Sequence, residues 1–369
     1  MRVLAVNVGS SSVKLSVLDA HDAVAERADL PAPQGVVDPV ELSAALAAMG
    51  PLDAIGHRIV HGGTKFTGPV RIDDDVVASA RALCDLAPLH QATSLAALEV
   101  TSAAYPETPS VACFDTAFHA GMPGGAATYA LPRHWRERFG LRRYGFHGLS
   151  HAYTSRRAAE LLGQPVEQLR IVTCHLGAGA SLAAVMAGRS VDTTMGFTPL
   201  DGLVMATRAG SLDPGLVLWL AEHAGTPPAE LAATFEHRSG LLGLAGTADM
   251  RVILASAADG VADAQLALEV YTHRLRAGIA SMAAAMDGLD AVVFTGGVGE
   301  NAPQVRELAV RGLGFLGMAL DGANDDEGED RRIGVPGAAV EVLVVAARED
   351  LEIAAETRRV LAAPRTTPR

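Results

Sequence analysis

The sequence has little cysteine and almost no lysine. Its three cysteines, Cys84, Cys113 and Cys174, form neither a CxxC pair nor an even set for disulfides. This pattern indicates a reducing compartment, with the cytoplasm as the default, and it argues against a cysteine-ligated metal site. The only lysines among the 369 residues are Lys14 and Lys65, so arginine carries nearly all of the positive charge.

Positive charge and long apolar runs are also scarce. Thirty Lys and Arg stand against 42 Asp and Glu, a formal net charge of −12, which disfavours nucleic-acid or anionic-membrane binding through a general basic field. The nearest approach to an 18-residue apolar run, residues 277–297, carries Asp287 and Asp290, and Asn7 interrupts the N-terminal apolar stretch. We therefore expect no nucleic-acid partner, no membrane segment and no secretion signal.

The hydrophobic content of 49% is ample for large cores, and the length suggests two or three domains at about 150 residues each. Residues 3–8 and 13–18 alternate as strands around a Gly-Ser turn, which predicts a hairpin. Residues 170–176 and 182–186 repeat this pattern around a second Gly/Ser tip. The repetition predicts a duplicated α/β architecture.

Helical periodicity and breakers organise the rest of the chain. A buried-type strand at 291–294 precedes a glycine loop and a helix, which is the geometry of a nucleotide site. The acidic run 321–332 is predicted to be a solvated loop, and the tail after Ala362 to fray. Helices are predicted over residues 41–49, 78–86, 263–286 and 349–363.

Familiar phosphate-binding signatures are missing. The chain has no GxxxxGK[ST] motif, and residues 177–181 lack the third glycine of the dinucleotide fingerprint, which disfavours P-loop and Rossmann enzymes. The tip at residues 9–12, with Lys14 beside it, has glycine for close approach and hydroxyl and N–H groups that suit phosphate oxygens. An ordinary Gly/Ser hairpin is the alternative for this tip.

Two histidine pairs have a spacing of four, His57 with His61 and His147 with His151. Neither pair has the Glu of HExxH; the first lies in a strand-like context and the second contains glycine. The sequence therefore disfavours a zinc site at either pair.

Arginines beside glycine-rich turns carry more information. Arg58 and Arg208 each lie near such a turn, where a guanidinium fork can hold carboxylate or phosphate, although a surface arginine near a loop is the alternative. Asp115 ends an apolar stretch, a place for a positioned acid or a partner in a metal site.

Nine segments taken together resemble the acetate kinase family, in order and over nearly the whole chain. The segments are LAVNVGSSSVK (4–14), IGHRIVHGG (55–63), LAPLH (86–90), CFDTAFH (113–119), RRYGFHGLSH (142–151), HLGAGAS (175–181), MGFTPLDGLVMATRAG (195–210), GTADMR (246–251) and FTGGVGEN (294–301).

The resemblance implies two ribonuclease H-like domains of the acetate and sugar kinase, heat-shock chaperone and actin superfamily. Each domain would hold a mixed five-stranded sheet with flanking helices, and the active site would lie in the interdomain cleft. Residues 1–118 with 350–369 would form the acyl-substrate and dimer side, and residues 119–349 the nucleotide-binding side. The resemblance also implies a homodimer.

The resemblance further assigns roles to individual residues. The catalytic residues would be Asp115, His147, Arg208 and Arg58. Arg58 would also bind acetate, beside an apolar pocket for the methyl group formed by Val60, Leu89, Phe146 and Pro199. Mg²⁺ or Mn²⁺ would be held by Asn7 and Glu349. ATP or ADP would be bound by Ser10, Ser12, Lys14, His175, Gly177, Ala178, Gly179, Asp249, Met250, Arg251, Gly297, Gly299, Glu300 and Asn301.

Three departures from the family pattern bear on this assignment. Ala178 replaces the usual Asn in the second loop, which removes a hydrogen bond to phosphate. Residues 347–350 read Ala-Arg-Glu-Asp instead of Thr-Asn-Glu-Glu, and residues 91–93 read Gln-Ala-Thr instead of Asn-Pro-Pro. The last change puts the acyl-chain preference in question.

The implied reaction is a reversible, Mg²⁺-dependent, direct in-line transfer of the ATP γ-phosphoryl group to acetate, giving acetyl phosphate and ADP. A carboxylate nucleophile needs no general base at neutral pH, because its pKa lies at about 4 to 5. The alternatives are a propionate or butyrate kinase of the same family and a non-catalytic nucleotide-sensing member.

Overall fold

The computed structural model describes residues 1–9, 12–32, 37–84, 88–326, 328 and 330–363, without the side chains of residues 88–90. The chain divides into two compact units. The first unit comprises Met1–Ala120, Phe146–Tyr153 and Arg348–Arg369, and the second comprises Gly121–Gly145 and Thr154–Ala347.

Strands and helices alternate along most of the chain. The strands are β1 (Val3–Val8), β2 (Ser12–Leu18), β3 (Val24–Pro31), β4 (Ala54–Ile59), β5 (Val70–Arg71), β6 (Ser110–Phe114), β7 (Arg170–Leu176), β8 (Ala180–Met186), β9 (Arg189–Thr193), β10 (Ala291–Thr295), β11 (Arg331–Arg332) and β12 (Glu341–Val344). The helices are α1 (Pro39–Ala47), α2 (Asp74–Arg81), α3 (Pro88–Ala104), α4 (Gly124–Ala127), α5 (Arg133–Phe139), α6 (Gly148–Leu162), α7 (Pro214–His223), α8 (Pro228–His237), α9 (Gly240–Ala245), α10 (Met250–Ala258), α11 (Ala262–Ala285), α12 (Gly296–Asn301), α13 (Pro303–Arg311) and α14 (Glu349–Ala362).

The two sheets have the same topology, so the predicted duplication is confirmed. The first has the order β3-β2-β1-β4-β6-β5 and the second β9-β8-β7-β10-β12-β11. In each sheet, the first strand of an antiparallel hairpin pairs with a parallel strand, which pairs in turn with a second parallel strand. A short strand then pairs antiparallel at the edge. Both predicted hairpins are present.

The family resemblance implied five strands in each sheet, and that number is wrong because each sheet has six. The sixth strand is a two-residue edge, Val70–Arg71 in the first sheet and Arg331–Arg332 in the second. Two residues are too short for an alternating pattern, so sequence periodicity does not detect such a strand. Because Arg331–Arg332 is a strand and Gly322–Asp325 a 3₁₀ turn, the prediction of a plain solvated loop over 321–332 is also wrong in part.

Helix ends follow local capping chemistry more closely than apolar periodicity. The helix predicted over 78–86 instead begins at Asp74, because the Asp73 side chain accepts the Val76 N–H as N-cap, and it ends at Arg81; residues 85–86 lie outside the described residues. The long helix predicted over 263–286 spans Ala262–Ala285, and the last helix spans Glu349–Ala362. The tail 364–369, predicted to fray, lies outside the described residues.

The core of the first unit lies on both faces of its sheet. Because side chains alternate along a strand, Leu4 and Val6 of β1 pack on one face with Leu42 of α1. Val3 packs on the other face with Ile353 of α14. The sequence pattern of β1, apolar throughout except for Asn7, reflects this burial on both faces.

The first unit also takes in residues 146–153, which were assigned by sequence to the second domain. The Gly148 N–H donates to the Asp115 carbonyl at 2.9 Å, and a Cβ at position 148 would lie 2.1 Å from that oxygen. The absence of a side chain at Gly148 therefore permits a backbone approach that binds this segment to the end of β6.

One segment, residues 240–258, meets length and composition criteria for a membrane span. The structure divides it into α9 and α10. The break lies at Gly246, which ends α9 with a φ of +71°, and Asp249, which caps α10. A membrane span needs about 20 continuous helical residues, and neither helix approaches that length.

Candidate active site

Three predicted site residues lie together at the carboxyl ends of parallel strands in the first unit. Asn7 is near the end of β1, Arg58 near the end of β4, and Asp115 directly follows β6. Strand alternation places all three on the face covered by α14, because Val3, Ala54 and Cys113 of the same strands pack on that face. Ligands of α/β sheets bind at this end of the strands.

The Arg58 guanidinium organises this cluster. Its Nε and Nη2 donate to Oδ1 and Oδ2 of Asp115 at 2.9 and 2.6 Å, and Nη1 donates to Asn7 Oδ1 at 3.0 Å and to the Val8 carbonyl at 3.3 Å. Four of the five N–H groups are thus engaged, and one on Nη2 has no acceptor among the described residues. The two-pronged fork holds Asp115, so the guanidinium offers a ligand one N–H rather than the bidentate grip expected from the sequence.

Glu349 joins the cluster from the first turn of α14. Its Oε2 accepts from Asn7 Nδ2 at 2.8 Å and lies 3.6 Å from Arg58 Nη1. A Cβ on Gly56 of β4 would lie 2.3 Å from Thr357 Oγ1 and 2.5 Å from an Ile353 methyl. Glycine at this position therefore permits the close helix-to-strand packing of α14.

Arg58 compensates the charge of Asp115, and Glu349 adds a second carboxylate to the cluster. Burial raises the pKa of the Asp115 carboxyl, and the Arg58 guanidinium opposes that rise. Burial disfavours the charged form of Arg58, yet Asp115 and Glu349 raise its pKa above the ordinary value. Because both Asp115 oxygens accept from a charged guanidinium, we interpret the pair as ionised, which leaves Asp115 unsuited to be a general base.

His147 is held next to Asp115 by its backbone. Its φ of +57° is in the left-handed region that non-glycine residues rarely adopt, and its N–H donates to the Asp115 carboxylate and lowers that group's pKa. The strained backbone at a predicted catalytic residue is typical of functional sites. The structure thus brings His147 and Asp115, the predicted catalytic pair, together.

Of the four predicted acyl-pocket residues, Val60 and Phe146 lie buried in the first unit. The Phe146 ring packs edge-on against the His61 ring, with centroids 5.6 Å apart, and its carbonyl lies 3.1 Å from His119 Nε2. Pro199 belongs to the second unit, where it is half-buried. The side chain of the fourth, Leu89, lies outside the described residues.

At the first hairpin, the Gly9 N–H donates to the Ser12 carbonyl at 2.8 Å. Lys14 is exposed on β2 and pairs in register with Asn7. Ser10, predicted to bind phosphate, lies outside the described residues. The second tip is one residue shorter, and in it the Gly177 N–H donates to the Gly179 carbonyl at 2.9 Å.

The second unit places part of its predicted nucleotide residues, those of 175–179 and 297–301, at the corresponding strand ends, and residues 249–251 at the start of α10. His175 of β7 pairs in register with Thr295 of β10, so the 177–179 tip and α12 follow neighbouring parallel strands. A Cβ on Gly299 would lie 3.6 Å from the Cys174 carbonyl, which shows how closely α12 packs on β7. Ala178, which replaces the family's Asn, is exposed at the tip.

Arg208 lies in a segment fixed to the same tip. The Ala206 N–H donates to the Ala178 carbonyl at 3.1 Å, and the Leu241 and Leu242 N–H groups at the start of α9 donate to the carbonyls of residues 205 and 206 at 2.9 Å. Burial lowers the pKa of Arg208, and Glu236, 3.9 Å away, partly offsets this effect. Its side chain is 12% exposed.

Several predicted nucleotide residues also have local structural roles. Asp249 caps α10 by accepting the Arg251 N–H at 2.9 Å, and the Arg251 side chain lowers its pKa to about 2. Met250 is buried in the core. Glu300 Oε1 accepts the N–H groups of Gly296 and Ala347 at 2.8 and 2.9 Å.

The remaining α12 residues, Gly297 and Asn301, are exposed. The Asn301 amide donates to the Gly297 carbonyl at 2.9 Å.

Two buried polar residues, Gln91 and Arg306, were not predicted as such from the sequence. Arg306 is 1% exposed and donates to the carbonyls of Gly299 and Glu300 at 2.9 and 2.8 Å, so it supports the C-terminal end of α12. Gln91 is fully buried against the backbone of His61. Only its departure from the family's Asn marked Gln91; Arg306 had no signal, because arginine on an amphipathic helix is ordinarily exposed.

The histidine pairs do not form metal sites in the described chain. Among the described residues, no three His, Cys, Asp or Glu side chains cluster so as to hold a metal ion. His57 is 1% exposed, and neither ring nitrogen has a hydrogen-bond partner within the described part of the chain. The His151 ring packs against His119, with centroids 5.7 Å apart.

We predict that stability falls as the pH drops from 6.5 towards 4. Burial lowers the pKa of His57, His61 and His119 from 6.5 to about 4 each, so all three are neutral in the folded protein at pH 7. Below pH 6.5 the unfolded chain binds protons that the folded chain does not. Each histidine then contributes a loss of up to about 1.4 kcal/mol per pH unit.

Urea unfolding at pH 7.0, 6.0 and 5.0 measures this dependence. His57→Leu is expected to reduce the slope, whereas His21→Gln, a change at an exposed histidine, should leave it unchanged. An unfolding free energy that is constant from pH 7 to pH 5 in the parent chain contradicts the prediction.

Comparison with known proteins shows full-length relatives. The profile of the Acetokinase family matches residues 35–355. Acetate kinase of Deinococcus deserti is 43% identical over 394 aligned residues, covering 98% of both chains. The crystal structure of Porphyromonas gingivalis acetate kinase matches with a TM-score of 0.89 and 35% identity, covering 98% of this chain and 99% of that one. A propionate kinase from Francisella tularensis matches with a TM-score of 0.88 and 35% identity, covering 97% and 99%.

Proposed function

Because the chain belongs to the acetokinase family, we propose that it transfers the γ-phosphoryl group of ATP to acetate, giving acetyl phosphate and ADP, and that the same site serves the reverse reaction. The observation that carries this proposal is the hydrogen-bonded Asn7–Arg58–Asp115–Glu349 cluster at the strand ends. The remaining N–H of its positioned guanidinium suits an anionic acceptor, and the second carboxylate suits the metal ion that phosphoryl transfer requires.

The transfer needs no proton removal by the protein. Acetate is ionised at neutral pH, so its carboxylate oxygen attacks the γ-phosphorus directly and the bond from that phosphorus to the β-phosphate bridging oxygen breaks. Asp115 is a positioning residue, because its two oxygens hold the Arg58 fork. No phosphoenzyme is required.

The catalytic task is to bring two anions together and to stabilise the charge of the transferring group. We assign the remaining Nη2–H of Arg58 to the acetate carboxylate and the guanidinium of Arg208 to the phosphoryl oxygens. The His147 side chain, on the strained residue beside Asp115, is assigned as a further donor to the equatorial oxygens. Val60, Leu89, Phe146 and Pro199 are assigned to the methyl group.

The oxygen donors of the cluster suit Mg²⁺ or Mn²⁺. Asn7, Asp115 and Glu349 carry amide and carboxylate oxygens, the ligands these ions prefer, and Arg58 donates to those of Asn7 and Asp115. Mg²⁺ commonly binds one or two carboxylates directly while it keeps several waters, which suits Glu349 as the carboxylate ligand. We propose that Asn7 and Glu349 hold the ion, partly through water, with Asp115 beside them. When bound, the ion would neutralise charge on the terminal phosphates of the nucleotide.

The nucleotide is assigned to the strand-end loops of the second unit. The 177–179 tip and Gly297 lie at these strand ends, and their glycines permit close approach of phosphate or ribose. The tip at Ser12 and Lys14 is assigned to the phosphate end. We assign Glu300 to positioning α12 rather than to direct contact, because its Oε1 already accepts two backbone N–H groups.

From the family resemblance we also propose a homodimer and a cytoplasmic location. The three cysteines form no disulfide in the described chain, which is in keeping with a reducing compartment. Light scattering of the purified chain tests the dimer, for which a mass near twice 38.1 kDa is expected; the monomer mass would refute it.

The acyl-chain preference is the sharpest test of the substrate assignment. We expect kcat/KM with Mg-ATP to be highest for acetate and to fall by about tenfold or more for propionate and again for butyrate, because one additional methylene changes discrimination by about 1 to 3 kcal/mol. Trapping the acyl phosphate with hydroxylamine measures each rate.

A maximum at propionate would retain the chemistry and change the substrate. That alternative has a specific basis, since the solved propionate kinase is as similar to this chain, at 35% identity, as the solved acetate kinase.

A further inference from the structure

Gln91 is a buried amide on α3 that binds three backbone groups. It is fully buried; its Oε1 accepts the His61 N–H at 2.9 Å, and its Nε2 donates to the carbonyls of His61 and Ala80 at 3.1 Å each. The amide therefore pairs with both backbone groups of residue 61, as a strand partner would. Loss of the amide oxygen or of the amide nitrogen would leave a buried backbone N–H or buried backbone carbonyls without their hydrogen bonds.

These bonds fix the segment that follows β4. The Gly62 N–H donates to Thr116 Oγ1 at 2.9 Å, and the Gly63 N–H donates to His61 Nδ1 at 2.9 Å. The chain from residue 61 to residue 63 is thus held at each residue, with Gln91 supplying both bonds at the first. Val60, assigned to the methyl pocket, directly precedes this fixed point.

The same support reaches a second pocket residue through the His61 ring. That ring packs edge-on against Phe146, with centroids 5.6 Å apart. His61 is joined directly to Val60, and its ring packs against Phe146. Displacement of the His61 backbone would therefore disturb both pocket residues. We assign Val60 and Phe146 to one wall of the methyl pocket. Both are buried, at 5% and 1% exposure, so this wall can move only if the residues packed behind it move.

We propose that Gln91 is a positioning residue that sets the acyl size the enzyme accepts, by holding the backing of Val60 and Phe146 rigid. This inference rests on the proposed function and on the assignment of those two residues to the pocket. A rigid wall discriminates against the additional methylene of propionate because the wall cannot move outward to accommodate it. Shortening or replacing the amide releases the wall.

The test compares Gln91→Asn and Gln91→Met with the parent chain. Asparagine is too short to keep all three bonds, and methionine retains the length but cannot donate. We expect both variants to lower the ratio of kcat/KM for acetate to that for propionate by about three- to tenfold, while the KM for ATP changes less than twofold. This ratio cancels the concentration of folded enzyme, so partial unfolding does not move it.

A matched control and a structural readout accompany the ratio. Gln265→Asn alters an exposed glutamine in the second unit whose amide donates to the Ala257 carbonyl at 3.1 Å, and the ratio should stay unchanged. Hydrogen exchange of peptides covering residues 60–63 is expected to accelerate in both Gln91 variants, because the His61 N–H loses its acceptor.

An unchanged ratio of kcat/KM for acetate to that for propionate in active Gln91 variants refutes the role of Gln91 and leaves the proposed function standing. If the parent chain forms no acyl phosphate with any acid, the proposed function and this inference are both refuted. If both variants are folded only at low temperature and are inactive in the assay, unchanged exchange at residues 60–63 at that temperature likewise refutes the role of Gln91.

Discussion

Arg58→Ala is expected to lower kcat for acyl phosphate formation by about 10²- to 10³-fold, as the loss of a preorganised donor to developing charge does in other enzymes. The substitution removes the charge that the site offers to acetate. It also removes the four hydrogen bonds that tie Asn7, Val8 and Asp115 together. Steady-state kinetics with hydroxylamine trapping measures the loss.

The same substitution should destabilise the protein, and the two effects can be separated. Asp115 is 1% exposed, and without Arg58 it becomes a buried uncompensated carboxylate, which costs about 3 to 5 kcal/mol. Adding Asp115→Asn removes that charge, so the double variant should recover much of the stability while kcat stays low. If kcat recovered along with stability, Arg58 would have only a structural role.

Arg81→Ala is the matched control for Arg58. It removes an exposed guanidinium from the same unit, where Arg81 pairs with Glu99 at 2.6 Å. An exposed ion pair of this kind contributes about 0 to 1 kcal/mol. Both kcat and the unfolding free energy should remain close to those of the parent chain.

Arg208→Ala is expected to lower kcat by a similar factor, about 10²- to 10³-fold, with little loss of stability. Burial lowers the pKa of Arg208, so the folded protein gives up favourable hydration to hold this charge in place. Its carboxylate neighbour Glu236 is 27% exposed and 3.9 Å away. Because Glu236 is more exposed than Asp115, loss of its arginine costs less than the loss of Arg58 costs Asp115.

Thermal unfolding and kinetics of Arg208→Ala, with Arg238→Ala as the control, check this contrast. Arg238 is 58% exposed and pairs with Glu230 at 3.9 Å in the same unit. A kcat for Arg208→Ala equal to that of the parent chain removes Arg208 from the mechanism. A large loss of stability together with the loss of kcat would contradict the proposed division of roles between the two arginines.

Much of the first-unit cluster follows from strand alternation. Asn7 interrupts the apolar pattern of β1, and Arg58 interrupts that of β4. Asp115 follows β6. Once three parallel neighbours are assumed, these residues must lie at one edge and on one face. The duplicated hairpins also allowed the two-sheet architecture to be predicted.

Contacts between residues distant in sequence could not be predicted in this way. Asn7 and Glu349 are 342 positions apart, and only the family resemblance suggested their proximity. Local patterns likewise gave no sign that Gly148 binds its segment to Asp115, or that Arg306 and Gln91 are buried. A polar side chain can be buried when backbone groups of other helices and strands supply its hydrogen bonds. The periodicity within one helix or strand contains no information about those groups.

Formation of acyl phosphate by the purified chain tests the central claim most directly. With Mg-ATP, acetate and hydroxylamine, we expect hydroxamate to form in a 1:1 ratio with the ADP released, and neither product to form when acetate is omitted. ATP binding without acetate-dependent hydroxamate would contradict the account and favour a nucleotide-sensing role for the fold.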